Sequence, residues 1–279
     1  IDVDEKGYWV GFNLVKGIGA RRMQSLLAYF GSAEAAWKAE PEFLQSAGLS
    51  PRLVNAYVQM RGSDSLKRTW DRIHALDIQV LTWQDEHYPN RLADLDQSPP
   101  VLYIRGTLLP DDDWSVGIVG TRRLTSYGRQ VTQEVAGTLA RNGITVVSGL
   151  ARGIDAVAHQ AALAAGGRTL AVLGCGVDQI YPPEHRSLAE QIMAHGALIS
   201  DYAPGTPPDA ANFPPRNRII SGLSRAVVVI EAGEQSGAFS TAAFAADQGR
   251  EVFAVPGSIY AVQSKGTNLL IQQGARPLL

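Results

Sequence analysis

From Trp114 onward, short apolar segments alternate regularly with longer amphipathic ones. The apolar segments are predicted strands, at Ser115–Val119, Thr145–Ser148, Thr169–Leu173, Ala197–Ser200, Ala226–Ile230 and Glu251–Val255. The amphipathic segments are predicted helices, near Tyr127–Arg141, Asp155–Ala165, Glu184–Ala194, Gly237–Gln248 and Thr267–Gln273. Strands that are almost continuously apolar are buried on both faces, which is typical of a parallel sheet between two helical layers. We therefore predict an α/β fold with an extended Rossmann-like, doubly wound, mostly parallel sheet, whose ligands bind at the carboxyl ends of the strands.

The first sixty or so residues show a different pattern, that of short helices separated by glycine-containing breaks. One break is Gly17-Ile18-Gly19, and another is Gly48-Leu49-Ser50-Pro51. A Gly-Ile-Gly turn before a helix is similar to a helix-hairpin-helix unit, whose turn amides can hold a DNA phosphate without reading the bases. The alternative is a turn that only joins two helices. In both cases this part is predicted to form a small all-helical (helix-hairpin-helix/SAM-like) domain.

We predict two domains, residues 1–64 and residues 65–279. Within the second, residues 65–113 form a connector or extension that precedes the α/β core of residues 114–279. The elements predicted in the connector are a helix around Ser65–Leu76, a strand at Gln79–Thr82, an extended segment up to Ile104 and a polar turn at Asp111-Asp112-Asp113.

Composition narrows the classes of function. No apolar run approaches the roughly 20 residues that cross a bilayer, and the start Ile1-Asp2-Val3 lacks the pattern of a signal peptide, so we expect a cytoplasmic protein without membrane contact. The single cysteine, Cys175, is incompatible with an internal disulfide framework or a cysteine zinc cage, and no metal site is predicted. The net charge is −2, so a nucleic-acid contact would have to come from a local groove.

The first predicted strand of the core runs into a loop that is suited to an anion. Gly120-Thr121-Arg122-Arg123 is followed at a short distance by Ser126, at the start of a predicted helix. Helix-start amides and guanidinium groups both favour phosphate. The loop is not a G-x-G-x-x-G fingerprint, and no G-x-x-x-x-G-K-[ST] motif occurs, so neither a nicotinamide cofactor nor a nucleoside triphosphate is predicted. An ordinary capped turn is the alternative.

The next two strands end in similar small-residue loops. Ser148-Gly149 leads through Arg152 into a helix, and Arg152 is expected to lie beside the first loop. Asp155 and His159 are four residues apart on that helix and resemble an acid–base pair, although a stabilising role for Asp155 at the helix start and packing for His159 are favoured. Cys175 follows the third strand and is predicted to be a small buried residue rather than a nucleophile.

The segment after the fourth strand combines an aromatic ring with cations and an amide. Phe213, Arg216, Asn217 and Arg218 could together contact a base face, backbone phosphates and a base edge, which suits a single nucleic-acid strand. The alternative places Phe213 in the core and one arginine in a structural ion pair.

The fifth strand ends at Glu231 and is followed by hydroxyl groups at a helix start. Ser236, Gly237, Ser240 and Thr241 are predicted to meet an anion there. The Glu231 carboxylate has three interpretations: a catalytic group, an acceptor for a ribose hydroxyl, or a structural partner of Arg216 or Arg218.

Taken together, six short motifs give the chain a family resemblance. They are Gly-Thr-Arg at 120–122, Ser-Gly-Leu-Ala-Arg-Gly-Ile-Asp at 148–155, Phe-Pro-Pro-Arg-Asn-Arg-Ile-Ile-Ser-Gly-Leu at 213–223, Ser-Gly-Ala-Phe-Ser-Thr-Ala at 236–242, Val-Pro-Gly at 255–257 and Gly-Thr-Asn-Leu-Leu-Ile at 266–271. This series resembles the DNA-processing protein A (DprA, also called Smf) family, over nearly all of residues 80–279. One departure concerns Asp209-Ala210-Ala211-Asn212, where many relatives carry basic and aromatic residues, so the groove is expected to be less positive here.

The resemblance implies a function as well as a fold. It implies a homodimeric recombination mediator of natural transformation and competence, which coats and protects incoming single-stranded DNA and loads the RecA recombinase. It also implies a protein that is not an enzyme, with no catalytic residue and no cofactor. The apolar pair Leu269 and Leu270, in a helix near the chain end, is predicted at the dimer interface.

One enzyme class is the rival interpretation. Rossmann-like phosphoribohydrolases of the lonely-guy type also place a Gly/Thr-rich loop and a strand-end glutamate on a nucleotide. They require a Pro-Gly-Gly-x-Gly-Thr run, and the comparable stretch here, Gly233 to Ser240, lacks paired glycines. A scaffold that only binds proteins would not explain several polar loops at one sheet edge. We therefore favour binding of single-stranded DNA.

Overall fold

A computed structural model describes residues 3–279, and its packing divides the chain into two compact units. The first unit takes the chain up to Ile104, together with Gly176–Gln179 and Ser200–Pro207. The second comprises Arg105–Cys175, Ile180–Ile199 and Pro208–Leu279. The division into domains at residue 64, which was predicted from the sequence, stays a prediction.

The first unit is mainly helical. Its helices are α1 (Glu5–Leu14), α2 (Ala20–Phe30), α3 (Ala33–Lys38), α4 (Pro41–Ser46), α5 (Pro51–Arg61), α6 (Ser65–Ala75) and the short α7 (Asn90–Ala93). Two strands, β1 (Gln79–Thr82) and β2 (Val101–Gly106), pair antiparallel with Val80 opposite Tyr103. The helical core is aromatic, because the rings of Phe12, Trp37 and Tyr57 contact one another at centroid distances of 5.1 to 5.8 Å.

The Gly17-Ile18-Gly19 turn joins α1 to α2. Gly17 has a φ of 105°, in the region that favours glycine, and Ile18 is buried. The guanidinium of Arg22 donates to the Gly17 carbonyl at 2.5 Å, which fastens the turn to the following helix. The turn therefore joins α1 to α2 in a fixed conformation. Its contact with a DNA phosphate stays a prediction.

The second unit is built on a parallel sheet of seven strands. These are β3 (Ser115–Val119), β4 (Thr145–Ser148), β5 (Thr169–Val172), β6 (Ala197–Ser200), β7 (Ala226–Val229), β8 (Glu251–Ala254) and β9 (Arg276–Pro277). Their spatial order is β6-β5-β4-β3-β7-β8-β9, and every neighbouring pair is parallel. The chain winds outward from β3 in one direction and returns to β7 to wind in the other. The predicted doubly wound, mostly parallel sheet is therefore confirmed, with its switch point between β3 and β7.

Six helices connect the strands of this sheet. They are α8 (Ser126–Arg141), α9 (Ile154–Ala164), α10 (Arg186–His195), α11 (Phe213–Leu223), α12 (Ala238–Asp247) and α13 (Val262–Gln272). The sequence patterns missed α11, because Pro214 and Pro215 mask its start, although proline is compatible with the first turn of a helix. They also placed the start of α13 at Thr267, five residues late, and missed β9.

Helices α8 and α9 pack on the middle of the sheet through a fully apolar contact. Ile118 and Val146 of the strands meet Ile154 and Ala158 of α9 and Ala136 of α8, all of them buried. Burial of this kind stabilises the fold by about 25 cal/mol for each Å² of apolar surface removed from water. The central strands β3 and β4, whose ends carry the polar loops, are therefore held rigidly.

A polar cluster secures the opposite, amino-terminal edge of the sheet. Asp112, in the three-aspartate turn before β3, is buried and accepts from the Arg168 guanidinium through both oxygens at 2.8 Å. The Thr145 hydroxyl of β4 also donates to it at 2.8 Å. The segment that was predicted as a polar turn at the end of the connector thus ties β3 and β4 to the residue before β5.

No helix within residues 3–279 is long and apolar enough to cross a membrane.

Replacing Asp112 by alanine should lower the free energy of unfolding, since a half-buried cationic donor and a buried hydroxyl lose their acceptor. We expect a loss of about 1–3 kcal/mol in urea unfolding. Asp113→Ala is the matched control, because the Asp113–Arg225 pair lies at the surface and should contribute only about 0–1 kcal/mol. Equal losses in the two variants would contradict the role given to Asp112.

Candidate functional site

A cleft of about 1000 Å³ lies at the carboxyl ends of β3, β4 and β7, at the switch point of the sheet. Most of the residues that were predicted to bind phosphate or DNA line it: Gly120, Thr121, Arg122, Arg123, Phe213, Arg216, Asn217, Ser236, Gly237, Ser240 and Thr241. Gly149 and Arg152 line a smaller cavity that shares Arg122 and Phe213 with the cleft. In the described chain, Ser126, Ser148 and Arg218 lie outside both linings.

The backbone of Thr121 joins three loops at the floor of the cleft. Its N–H donates to the Glu231 carbonyl after β7 at 2.7 Å, and its carbonyl accepts from the Ile154 N–H at the start of α9 at 3.2 Å. Gly153, with a φ of 80°, packs directly against Thr121 and Arg122, and a side chain there would collide with their backbone. Because these bonds are between backbone atoms, the loops after β3, β4 and β7 keep a fixed spacing.

The Glu231 carboxylate holds the start of α8. It is 2% exposed and accepts from the Thr125 N–H at 2.9 Å and from the Thr125 hydroxyl at 2.5 Å. Thr125 in turn caps the helix, because its hydroxyl oxygen accepts from the Gly128 N–H at 3.1 Å. Arg216 or Arg218 was predicted as one possible partner of Glu231, and in the structure its carboxylate is bonded to Thr125.

Two guanidinium groups at this helix start have no acidic partner among the described residues. Arg122 and Arg123 are exposed, and among residues 3–279 no acidic side chain pairs with either of them. Ser126 and Tyr127 open α8, so their N–H groups have no acceptor within the helix. Unneutralised cations beside free amides and the positive end of a helix dipole suit an anion.

Arg216 is buried and binds the backbone beside the cleft. It is 4% exposed, and its Nη1 donates to the Gly149 carbonyl at 2.9 Å and to the Val172 carbonyl. The ends of β4 and β5 are therefore tied to α11. Arg218 behaves differently, because its Nη1 reaches back to the Pro215 carbonyl of its own helix at 2.8 Å. Their predicted contacts with phosphate stay predictions, and burial makes such a contact harder for Arg216.

Asp155 shapes the loop after β4 rather than facing a substrate. Its Oδ2 accepts from the Gly149 N–H at 3.1 Å and from the Ala151 N–H at 3.3 Å, and between them Leu150 has a φ of 57°, in the left-handed region. Burial raises the pKa of Asp155, against the opposing effects of Arg216 and the loop N–H groups. The carboxyl thus fixes a strained backbone conformation that lets the loop turn under the cleft.

His159 packs in the core, as the favoured alternative has it. Its Nδ1 lies 2.7 Å from the Thr169 hydroxyl, and it is fully buried. Burial, with smaller effects from His185 and Arg216, lowers the pKa of His159 to about 3. The imidazole is therefore neutral at physiological pH. Its hydrogen-bond partner is Thr169 on β5, whereas the Asp155 carboxylate is bonded to loop amides.

Phe213 lies in the cleft, half-buried, at the start of α11. Its ring centroid is 5.6 Å from the guanidinium of Arg216, 5.9 Å from that of Arg122 and 5.6 Å from the ring of Tyr181. Tyr181 lines both the cleft and the smaller cavity. Phe213 was predicted as a site residue from the sequence, whereas Tyr181 was not, because it precedes two prolines in a loop with no recognisable motif.

The remaining predicted residues divide into cleft lining and structural support. Asn217 donates to the Ser240 hydroxyl at 2.7 Å, and that hydroxyl is also bonded to the Gly237 carbonyl, so both groups already have partners. Ser148 is buried and donates to the Ile118 carbonyl at 2.6 Å, which places it in the sheet rather than in the cleft.

Arg152, which lines the smaller cavity, forms an ion pair with Glu184. Its Nε donates to Glu184 at 2.5 Å, with both side chains half exposed, and the pair lowers the pKa of Glu184. A phosphate at Arg152 would therefore compete with Glu184.

The two leucines predicted at a dimer interface differ in exposure. Leu269 is 37% exposed on α13, whereas Leu270 is 8% exposed and packs inside the unit, so of the two only Leu269 is available to a dimer partner without rearrangement.

The parallel sheet with a cleft at its switch point is that of a Rossmann-like protein. The family model for DNA recombination-mediator protein A matches residues 79–279. The chain belongs to this family. The predicted resemblance to DprA/Smf proteins is thereby confirmed.

Individual relatives agree with this membership. Protein Smf of Synechocystis is 41% identical over 280 aligned positions, which cover 99% of this chain and 70% of that protein. DNA processing protein DprA of Bacillus subtilis is 43% identical over 202 positions, which cover 72% of this chain and 68% of that protein. The Bacillus subtilis relative, like the DprA protein of Streptococcus pneumoniae, is named for DNA processing.

Two solved structures share the fold. DprA of Streptococcus pneumoniae superposes with a TM-score of 0.85 at 31% identity, covering 100% of this chain and 95% of that one. DprA of Helicobacter pylori gives a TM-score of 0.65 at 32% identity, covering 72% of this chain and 90% of that one, and its structure is described as showing how that protein binds single-stranded DNA.

Replacing Glu231 by alanine should destabilise the protein, because the Thr125 N–H and hydroxyl lose a buried anionic acceptor. We expect a loss of about 1–3 kcal/mol in the free energy of unfolding, measured in urea. Glu234→Ala removes an exposed carboxylate from the same loop and should change it by less than about 0.5 kcal/mol. If Glu231→Ala were as stable as this control, the carboxylate would not be what holds the start of α8.

Proposed function

We propose that this protein binds single-stranded DNA in the cleft, and does so as a recombination mediator of natural transformation. The observation that carries the proposal is the pair of unneutralised guanidinium groups, Arg122 and Arg123, beside the open start of α8. The described binding of single-stranded DNA by the Helicobacter pylori relative supports it.

Each wall of the cleft would contact a different part of a strand. A phosphate would lie at the start of α8, where Arg122 offers a planar fork and the first helical amides offer N–H groups. The half-buried ring of Phe213, close to Arg122, would take the face of an adjoining base. Asn217 and Ser240, which are already bonded to each other, could exchange that bond for one to a base edge.

This arrangement favours an unpaired strand over a duplex. In a duplex the base faces are stacked, so the Phe213 ring would have nothing to stack on. A duplex would therefore gain only the phosphate contacts, and these come from few cations in a protein of net charge −2.

Titration with a fluorescent oligo(dT) and with a duplex of the same length tests the proposal. We expect the single strand to bind more tightly at every salt concentration. Equal affinity for the two forms would contradict the proposed mode of binding, and no binding of either form would contradict the proposed function.

Arg122→Ala should weaken single-strand binding uniformly across sequences, because it removes a phosphate contact. We expect a loss of about 1.5–3 kcal/mol, roughly ten- to a hundredfold in affinity, and a salt slope that is flatter by about 0.7. Arg122→Lys should restore only part, since a point charge replaces a bidentate fork. Arg129→Ala, which removes an exposed cation outside the cleft lining, is the control. A folded Arg122→Ala protein with unchanged affinity and slope would place the phosphate elsewhere.

Glu184→Gln should strengthen binding, because it frees Arg152 from its ion pair. The expected gain is modest, at most about fivefold, because an exposed pair is worth about 0–1 kcal/mol. Glu190→Gln on α10 makes the same change in net charge at another exposed site and should have a smaller effect. Equal gains in both variants would mean that only the overall charge matters and that Arg152 does not contact the strand.

The finer parts of the proposal concern partners. We propose that the protein protects the bound strand and loads RecA onto it, in the cytoplasm, and that it works as a homodimer through the C-terminal part of the second unit. The exposed Leu269 supports the dimer surface. The motifs at residues 213–223 and 266–271, which carry the family resemblance, support the mediator role.

A further inference from the structure

We propose that Tyr181 forms a base-binding subsite, in which one unpaired base of a single DNA strand stacks on the phenol ring. This inference rests on the proposed function and adds to it a residue outside the motifs that carry the family resemblance. Tyr181 lines the cleft and also the smaller cavity, together with Arg122, Arg152 and Phe213.

The ring of Tyr181 is partly exposed to solvent and is not part of the core. It is 37% exposed, whereas the neighbouring Pro182 is buried, so the chain anchors the proline and leaves the ring toward solvent. Its centroid lies 5.6 Å from that of Phe213, with the planes 38° apart. This is the spacing of aromatic rings in direct contact, so a base cannot enter between them. A base would instead stack on the remaining open face of Tyr181.

The charges around the ring suit a nucleic-acid strand, which carries a phosphate beside each base. Arg122 and Arg152 line the same small cavity as Tyr181, so cations flank the aromatic pair. A strand with phosphates at Arg122 and, in competition with Glu184, at Arg152 would bring a base to the rings. The chemistry is that of sequence-tolerant single-strand binding, in which aromatic faces take bases and guanidinium groups take the backbone.

A comparison of two oligonucleotides isolates the stacking. Tyr181→Leu keeps an apolar side chain but removes the aromatic face, and Tyr181→Phe keeps the face. We expect Tyr181→Leu to bind oligo(dT) more weakly by about fivefold to a hundredfold, the range measured for the loss of one base–aromatic stack. Its affinity for an abasic strand of the same length should equal that of the unchanged protein, because the abasic strand has phosphates but no bases.

Tyr181→Phe should bind oligo(dT) as the unchanged protein does. Tyr29→Leu, which removes an exposed tyrosine that lies outside the cleft lining, is the matched control and should change neither affinity. Photo-crosslinking with an oligonucleotide that carries 5-iodouracil should label the peptide containing Tyr181.

The outcomes separate this inference from the function on which it rests. If the unchanged protein does not bind oligo(dT), the proposed function fails. If it binds and Tyr181→Leu binds oligo(dT) equally well, only the Tyr181 subsite fails. If Tyr181→Leu loses affinity for the abasic strand as much as for oligo(dT), the ring supports the shape of the cleft and the subsite is also wrong.

Discussion

The backbone bonds of Thr121 are the interaction on which the rest of the site depends. Through them the loop after β3 is joined both to the loop after β7 and to the start of α9. These bonds lie at the switch point, where the winding direction of the sheet reverses and a crevice must open. The Glu231 carboxylate adds to them by holding Thr125 at the cap of α8. The backbone donors of the cleft are therefore in place before any ligand arrives, so binding does not have to order the loops.

The arginines of the cleft have different roles because their surroundings differ. Arg216 is buried and donates to backbone carbonyls, so its charge stabilises the frame of the cleft. Arg152 is exposed but shared with Glu184, so its charge becomes available only in competition. Arg122 and Arg123 have no acidic partner within residues 3–279 and present their full charge. A protein with a net charge of −2 can thus hold a polyanion, because a few cations are kept unneutralised at one place.

The strands and most helices of the second unit could be predicted, because burial on both faces leaves a direct apolar signal in the sequence. The site could be predicted only as a set of loops. Arg216 and Arg218 look equivalent in the sequence, and only the face of α11 on which each lies makes Arg216 buried and Arg218 half-buried. The partner of Glu231 is 106 residues away, at Thr125, and Tyr181 reaches Phe213 from a loop without a motif. Such pairings depend on tertiary packing, which local sequence patterns do not record.

A crystal structure of the protein with a bound oligo(dT) tests the cleft most directly. We expect a backbone phosphate within hydrogen-bonding distance of the Arg122 guanidinium and of the first amides of α8, with Arg216 still bonded to the Gly149 carbonyl. A strand that crosses another face of the protein, or one that draws Arg216 out of the core onto a phosphate, would contradict the claim that the cleft is built in advance around its free cations.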